Sequence, residues 1–274
     1  MKKYYTHQIG MALMLIFGVI TGLGAVRRLM YLLLLDQERS SIYWMIELVL
    51  AVIMIVTAIL SYSGPRLKGM EVVVSLLFVT YFTYFVIRAV IGTELTVNIQ
   101  NANILSMLAG LAMFSAFIVF YTTDDGAIIT KSENRMLKVS GFIFVLLGAG
   151  LGLVVAVLRY QAYAAMQGWD GQDFRQMIFY PAMISMGEYL FVSLAFIFVA
   201  FLLFQKWQLL IVYVGMGIAM RELLFGWLQM RTLQGDGTEL TMLALLPLFV
   251  GVTGFIGFLL FLGGAKRGEQ EEQT

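Results

Sequence analysis

Eight stretches of this 274-residue chain are each long and apolar enough to cross a hydrocarbon layer about 30 Å thick. They cover residues 8–30, 42–62, 70–91, 104–121, 139–160, 182–204, 207–230 and 242–263, leaving almost no length for a water-soluble domain. Inside a bilayer every backbone N–H and C=O must find its partner within the protein, so only helices and closed barrels span. A membrane strand alternates apolar and polar residues over about ten positions. Runs such as ELVLAVIMIVTAIL show no alternation. The chain therefore reads as an all-α, multi-pass membrane protein, and a content of 60% hydrophobic against 13% charged residues fits no soluble class.

Several kinds of chemistry are excluded or disfavoured. There is no cysteine, which removes disulfides, thiolate nucleophiles and cysteine metal sites. The single histidine, His7, precedes the first apolar run and reads as a solvated residue at the membrane surface; one histidine cannot make paired haem ligation and makes a zinc site poor. No phosphate loop, paired-aspartate metal motif, HExxH or G-x-S-x-G elbow occurs. No cofactor or metal is expected, the chain leans away from being an enzyme, and nothing suggests nucleic acid as a partner. The 18 methionines are scattered and read as core filler. The basic start followed by an apolar run longer than a usual signal peptide suggests an uncleaved signal anchor.

Orientation follows from the lysines. With eight spans both termini share a side, and Lys2, Lys3, Lys68, Lys131, Lys138, Lys206 and Lys266 all fall at a terminus or an even-numbered loop. The positive-inside rule makes that side cytoplasmic. The expected location is a cell membrane of the prokaryotic cytoplasmic type, with both termini inside. Arg27 and Arg28 then end span 1 at the outer boundary, where long side chains snorkel to the headgroups.

The chain also repeats itself. GTELT occurs at Gly92–Thr96 and again at Gly237–Thr241. Upstream, YFTYFVIR ending at Arg88 matches LFGWLQMR ending at Arg231; downstream, the run from Leu108 matches that from Phe249. Glu47 opens span 2 as Glu188 opens span 6, and GVITG before Arg28 resembles GAGLG before Arg159. Two four-helix repeats of the same orientation are expected, 1–125 and 137–274, joined by a cytoplasmic linker at 126–136. This 4+4 plan predicts a pseudo-twofold axis along the membrane normal. An interfacial helix is expected in the longer connection between Arg159 and Glu188. The small-residue pairs Gly18/Gly22 and Gly148/Gly152 read as helix-packing seams.

Charges recur in register: Arg28 with Arg159, Glu47 with Glu188, Arg88 with Arg231, Glu94 with Glu239. Boundary and intramembrane charges are costly and mark functional sites by default, and arginine holds phosphate or carboxylate in a bidentate fork. Arg28, Arg88, Arg159, Arg231, Glu47 and Glu188 are therefore candidates for an outward-facing site for an anionic small molecule or lipid headgroup, in a small transporter or lipid-handling protein. The alternative is a non-transporting subunit or sensor that anchors partner membrane proteins, through the 122–138 loop or the KRGEQEEQT tail, with each Arg pairing structurally to a Glu of its own half. Arg221 and Glu222 stand apart: they lie within span 7, have no counterpart in span 3, and read as either a buried ion pair or a functional pair.

Overall fold

The computed structural model describes residues 3–35, 41–63, 69–91, 97–122, 134–165, 180–205, 208–235 and 242–265; several side chains near helix ends, that of Arg231 among them, lie outside the description. Within it the regular structure is helical: α1 (Lys3–Leu35), α2 (Ser41–Ser63), α3 (Met70–Ile91), α4 (Val97–Thr122), α5 (Arg135–Ala165), α6 (Tyr180–Leu202), α7 (Gln208–Gly235) and α8 (Met242–Gly264). All eight are long and apolar enough to cross a membrane, and each coincides with one apolar run of the sequence. The expected linker core and interfacial segment, 126–133 and 166–179, and the residues Glu94 and Glu239, lie outside the described residues.

The helices carry their polarity inside out. On α2, Val49, Val52, Ile53, Val56 and Leu60 are exposed, while the opposite face buries Glu47, Ala51, Thr57, Ala58 and Ser61. In water such a stripe would be an aggregation hazard; against lipid tails it is the natural outer surface, and small or polar residues turn to neighbouring helices. Several hydroxyls within the spans are satisfied locally. Ser75, Ser193 and Thr253 each donate to the carbonyl four residues earlier at 2.7 Å.

Two compact units are present: unit 1 takes in Met1–Val19, Val49–Ser132 and Lys266–Thr274, and unit 2 takes in Ile20–Leu48 and Glu133–Ala265. In unit 1, α1 packs on α2 where Gly18 meets Met54 and Ile55, and on α4 where Gly10 lies under the Phe117 ring. Gly110 of α4 lies against Phe78 and Val79 of α3.

In unit 2, α5 packs on α6 and α8, and α8 packs on α7. Gly148 meets Phe196 of α6 and Gly254 of α8, Gly141 meets Gly257 and Phe261 of α8, and Gly251 of α8 lies against the backbone of Leu223 in α7. Asn134 starts α5: its side-chain oxygen accepts from the Leu137 N–H at 3.2 Å, and its own N–H donates to Gly264 at 2.9 Å. Just beyond it Lys138 is buried, with its ammonium over the rings of Phe204 and Phe261 and 3.3 Å from Gln208.

Candidate functional site

The adjacent arginines of α1 have different partners. Successive side chains on an α-helix leave it about 100° apart, and Arg27 and Arg28 turn to different neighbours. Arg28, half exposed, donates from Nη1 to Glu47 Oε2 at 2.7 Å. Arg27 turns instead to Glu188 of α6, with Nη1 3.3 Å from Oε2, and stacks its guanidinium 3.8 Å from the centre of the Phe225 ring of α7.

Glu188 is the hub of this arrangement. Besides Arg27 it holds Arg221 of α7 through Oε1, and Arg221 also pairs with its neighbour Glu222. The Arg221 guanidinium lies 5.5 Å from Phe225, on whose ring Arg27 also stacks. Burial is deep: Arg221 is 7% exposed and Glu222 and Tyr189 are fully enclosed. Arg27, Glu188, Arg221 and Glu222 are charge-balanced as a group of two guanidiniums and two carboxylates, the condition under which buried charges are tolerated.

Hydrogen bonding is less complete than charge pairing. Oε2 of Glu188, Oε2 of Glu222 and the Tyr189 hydroxyl are buried with no hydrogen-bond partner among the described residues. Tyr189 also lies within electrostatic reach of Glu222, Arg159 and Arg27. Arg159, on α5, makes no ion pair among the described residues. At this end of unit 2 the described charges are Arg27, Arg28, Arg159 and Arg221 against Glu47, Glu188 and Glu222. Among the described residues Arg159 is thus the guanidinium of this group without an ion pair, and it lies within electrostatic reach of the Tyr189 hydroxyl.

The sequence candidates are distributed accordingly. Arg28, Glu47, Arg159, Glu188, Arg221 and Glu222 all lie in unit 2, and Glu188, Arg221 and Glu222 are in one network. Arg88 belongs to unit 1, where it is exposed near the end of α3 with no ion pair among the described residues. Arg231 lies on α7, and its side chain is outside the description. Arg28 pairs with Glu47. Glu188 is reached both by Arg221 and by Arg27 of α1.

Sequence reasoning missed Tyr189 and Phe225 and gave Arg27 only an interfacial role. A usable signal was present, since Tyr189 directly follows Glu188 and Phe225 lies one helical turn after Arg221.

Unit 1 contains a second polar cluster that overturns the reading of His7 as solvated. His7 packs against the rings of Phe117 and Phe120 and sets Nε2 3.3 Å from Oε1 of the buried Glu71. Tyr121 donates to Oε2 of the same carboxylate, and its hydroxyl accepts from the Gly69 N–H at 3.4 Å. The cause is topological: α1 begins, α3 begins and α4 ends at one end of unit 1, so three residues remote in sequence converge. No group of histidine and acidic residues able to hold a metal ion occurs among the described residues. Comparison with protein families, with curated proteins and with solved structures finds no match to this chain.

Proposed function

We propose that this integral membrane protein is a small transporter or lipid-handling protein whose site, in unit 2, takes one anionic group, a phosphate or carboxylate of a lipid headgroup or small molecule. The observation that carries the reading is that Arg159, without an ion pair among the described residues, lies within electrostatic reach of the buried Tyr189 hydroxyl, which has no hydrogen-bond partner among them. A monoanion would accept from Tyr189 and Arg159 and balance the described charges of that end. The Arg27–Glu188–Arg221–Glu222 network holds α1, α6 and α7 around it.

In this proposal the chain is a 4+4 repeat with a pseudo-twofold axis along the membrane normal, both termini cytoplasmic and the arginine-rich end outside. Its support is a recurrent packing pattern. Helix 1 packs on 2 and 4, and 4 on 3, in unit 1; helix 5 packs on 6 and 8, and 8 on 7, in unit 2. The register agrees as well. Aligning Glu47 with Glu188 matches Ile55 with Phe196, and these meet Gly18 and Gly148 respectively. Gly110 and Gly251, also aligned, lie against Phe78 and Val79 in one unit and Leu223 in the other.

The test is ligand-induced stabilisation of the purified protein in a neutral detergent. Short-chain phosphatidic acid or inorganic phosphate should raise the melting midpoint, while short-chain phosphatidylcholine should not. A ligand at 100 times its dissociation constant adds about 2.7 kcal/mol. Response to phosphatidic acid alone identifies a lipid, and response to both identifies the phosphate itself. A short-chain fatty acid covers the carboxylate case. Absence of any anion response, or an equal response in Arg159→Gln, would reject the site.

The alternative, a non-transporting subunit with purely structural pairs, has the close Arg28–Glu47 bond on its side. It gives no role to the oxygens of Tyr189 and Glu222 that have no hydrogen-bond partner among the described residues.

A further inference from the structure

The cluster at the start of α1 stands apart from the anion site, since every residue in it belongs to unit 1. His7 is the only histidine of the chain, and imidazole is the side chain that changes charge between about pH 5 and 8. It does not sit in water. The imidazole lies with its ring centre 4.4 Å from that of Phe120 and 5.8 Å from that of Phe117, and its Nε2 is aimed at a carboxylate that is 3% exposed. The groups that face it are few. Helix α3 supplies Glu71 and α4 supplies Tyr121, while α2 supplies the buried Ser61, which acts on the same carboxylate though its Oγ makes no hydrogen bond of ordinary geometry. Between Val49 and Ser63 α2 carries no charged side chain.

We propose that His7, Glu71 and Tyr121 form a proton-binding site whose occupancy fastens the first turns of α1 to α3 and α4. With the proton bound, imidazolium and carboxylate form an ion pair within an aromatic wall, and the Tyr121 hydroxyl and Gly69 N–H hold the rest of the cluster. With the proton released, one neutral hydrogen bond at most remains between His7 and Glu71, beside a carboxylate that has lost its only described cationic neighbour. The sign follows: the proton-bound form is the fastened one, so the contact is complete on the acidic side and weakens as pH rises. Gly10, one turn further along α1, has the Phe117 ring closely against it. A change at His7 is therefore felt at the next α1–α4 contact.

A single histidine makes the experiment direct. Histidine-selective isotope labelling of the full-length protein in detergent gives one imidazole signal, followed from about pH 5 to 9. The site predicts reversible titration of that signal in the folded protein, with proton binding weaker in Glu71→Gln. The melting midpoint of wild type should fall between about pH 6 and 8, and His7→Gln, which keeps a donor to Glu71 but has no titration, should lose that dependence. A wild-type imidazole that does not titrate overturns the proposal whatever the variants do. So does an equal midpoint of titration in Glu71→Gln, or an unchanged pH dependence of melting in His7→Gln.

Discussion

Aligned on Arg88 and Arg231, helices α3 and α7 differ most sharply where both are well buried. Phe78 and Val79 of α3 stand opposite Arg221 and Glu222 of α7. Phe78 and Glu222 are each fully enclosed, and Arg221 nearly so. Both helices meet a glycine of the following helix at this level, Gly110 in unit 1 and Gly251 in unit 2. In the proposed repeat, Phe78 and the half-buried Val79 thus stand where unit 2 has an ion pair. Replacing a buried ion pair by apolar residues of similar volume is commonly neutral or stabilising by about 1 to 4 kcal/mol, so packing alone gives α7 no reason to carry charge there. In the proposed function the charges of α7 serve a ligand instead, and the oxygens of Glu222 and Tyr189 that lack a hydrogen bond among the described residues mark where to look.

The comparison breaks most visibly if one charge is removed without its partners. Arg221→Met should destabilise the protein by about 3 to 5 kcal/mol, because it leaves Glu188 and Glu222 facing an apolar surround. Chemical or thermal denaturation of the purified variant reads this. A loss of under about 1 kcal/mol would mean that the guanidinium is solvated and the network loose.

Glycine replacement sharpens the packing half of the comparison. A Cβ on Gly251 would come within 2.6 Å of the Leu223 backbone, which has no side chain to swing aside. Gly251→Val should cost about 1 to 3 kcal/mol as an overpacked contact. Gly150, with open space around it, is the control: Gly150→Ala should be neutral or stabilising by up to about 1 kcal/mol through helix propensity. Equal effects at the two positions would contradict the close α7–α8 approach.

The smallest effect belongs to Arg28. Its side chain is 47% exposed, and an exposed pair is worth about 0 to 1 kcal/mol. Arg28→Lys should therefore change the melting midpoint by little. A large loss would place Arg28, and not Arg221, at the centre of the network.

Much of this was legible in the sequence, and the reasons for the rest are physical. Span boundaries follow from hydrocarbon thickness, which is why each helix coincides with its apolar run. Buried charge at Arg221 and Glu222 was legible because the cost of charge in lipid leaves few alternatives. Partner choice was not. Whether Glu188 holds Arg159, Arg27 or Arg221 depends on helix rotation, and a residue step of about 100° decides it. His7 was misread for a related reason: an isolated histidine before a span looks solvated until the topology brings Glu71 and Tyr121 to the same end.

The most direct test converts one region into the other. Arg221→Phe with Glu222→Val gives α7 the residues of α3, leaves Arg27 to pair with Glu188, and removes the ion pairs by which α7 is held to α6 around the proposed site. If the charged network serves a ligand, the double variant should fold and melt at or above the wild-type midpoint, yet lose at least about tenfold in affinity for the anion that stabilises wild type, a change of about 1.4 kcal/mol. A double variant that is markedly less stable but binds the anion as tightly as wild type would contradict the account, and would make the buried charges a device of the fold.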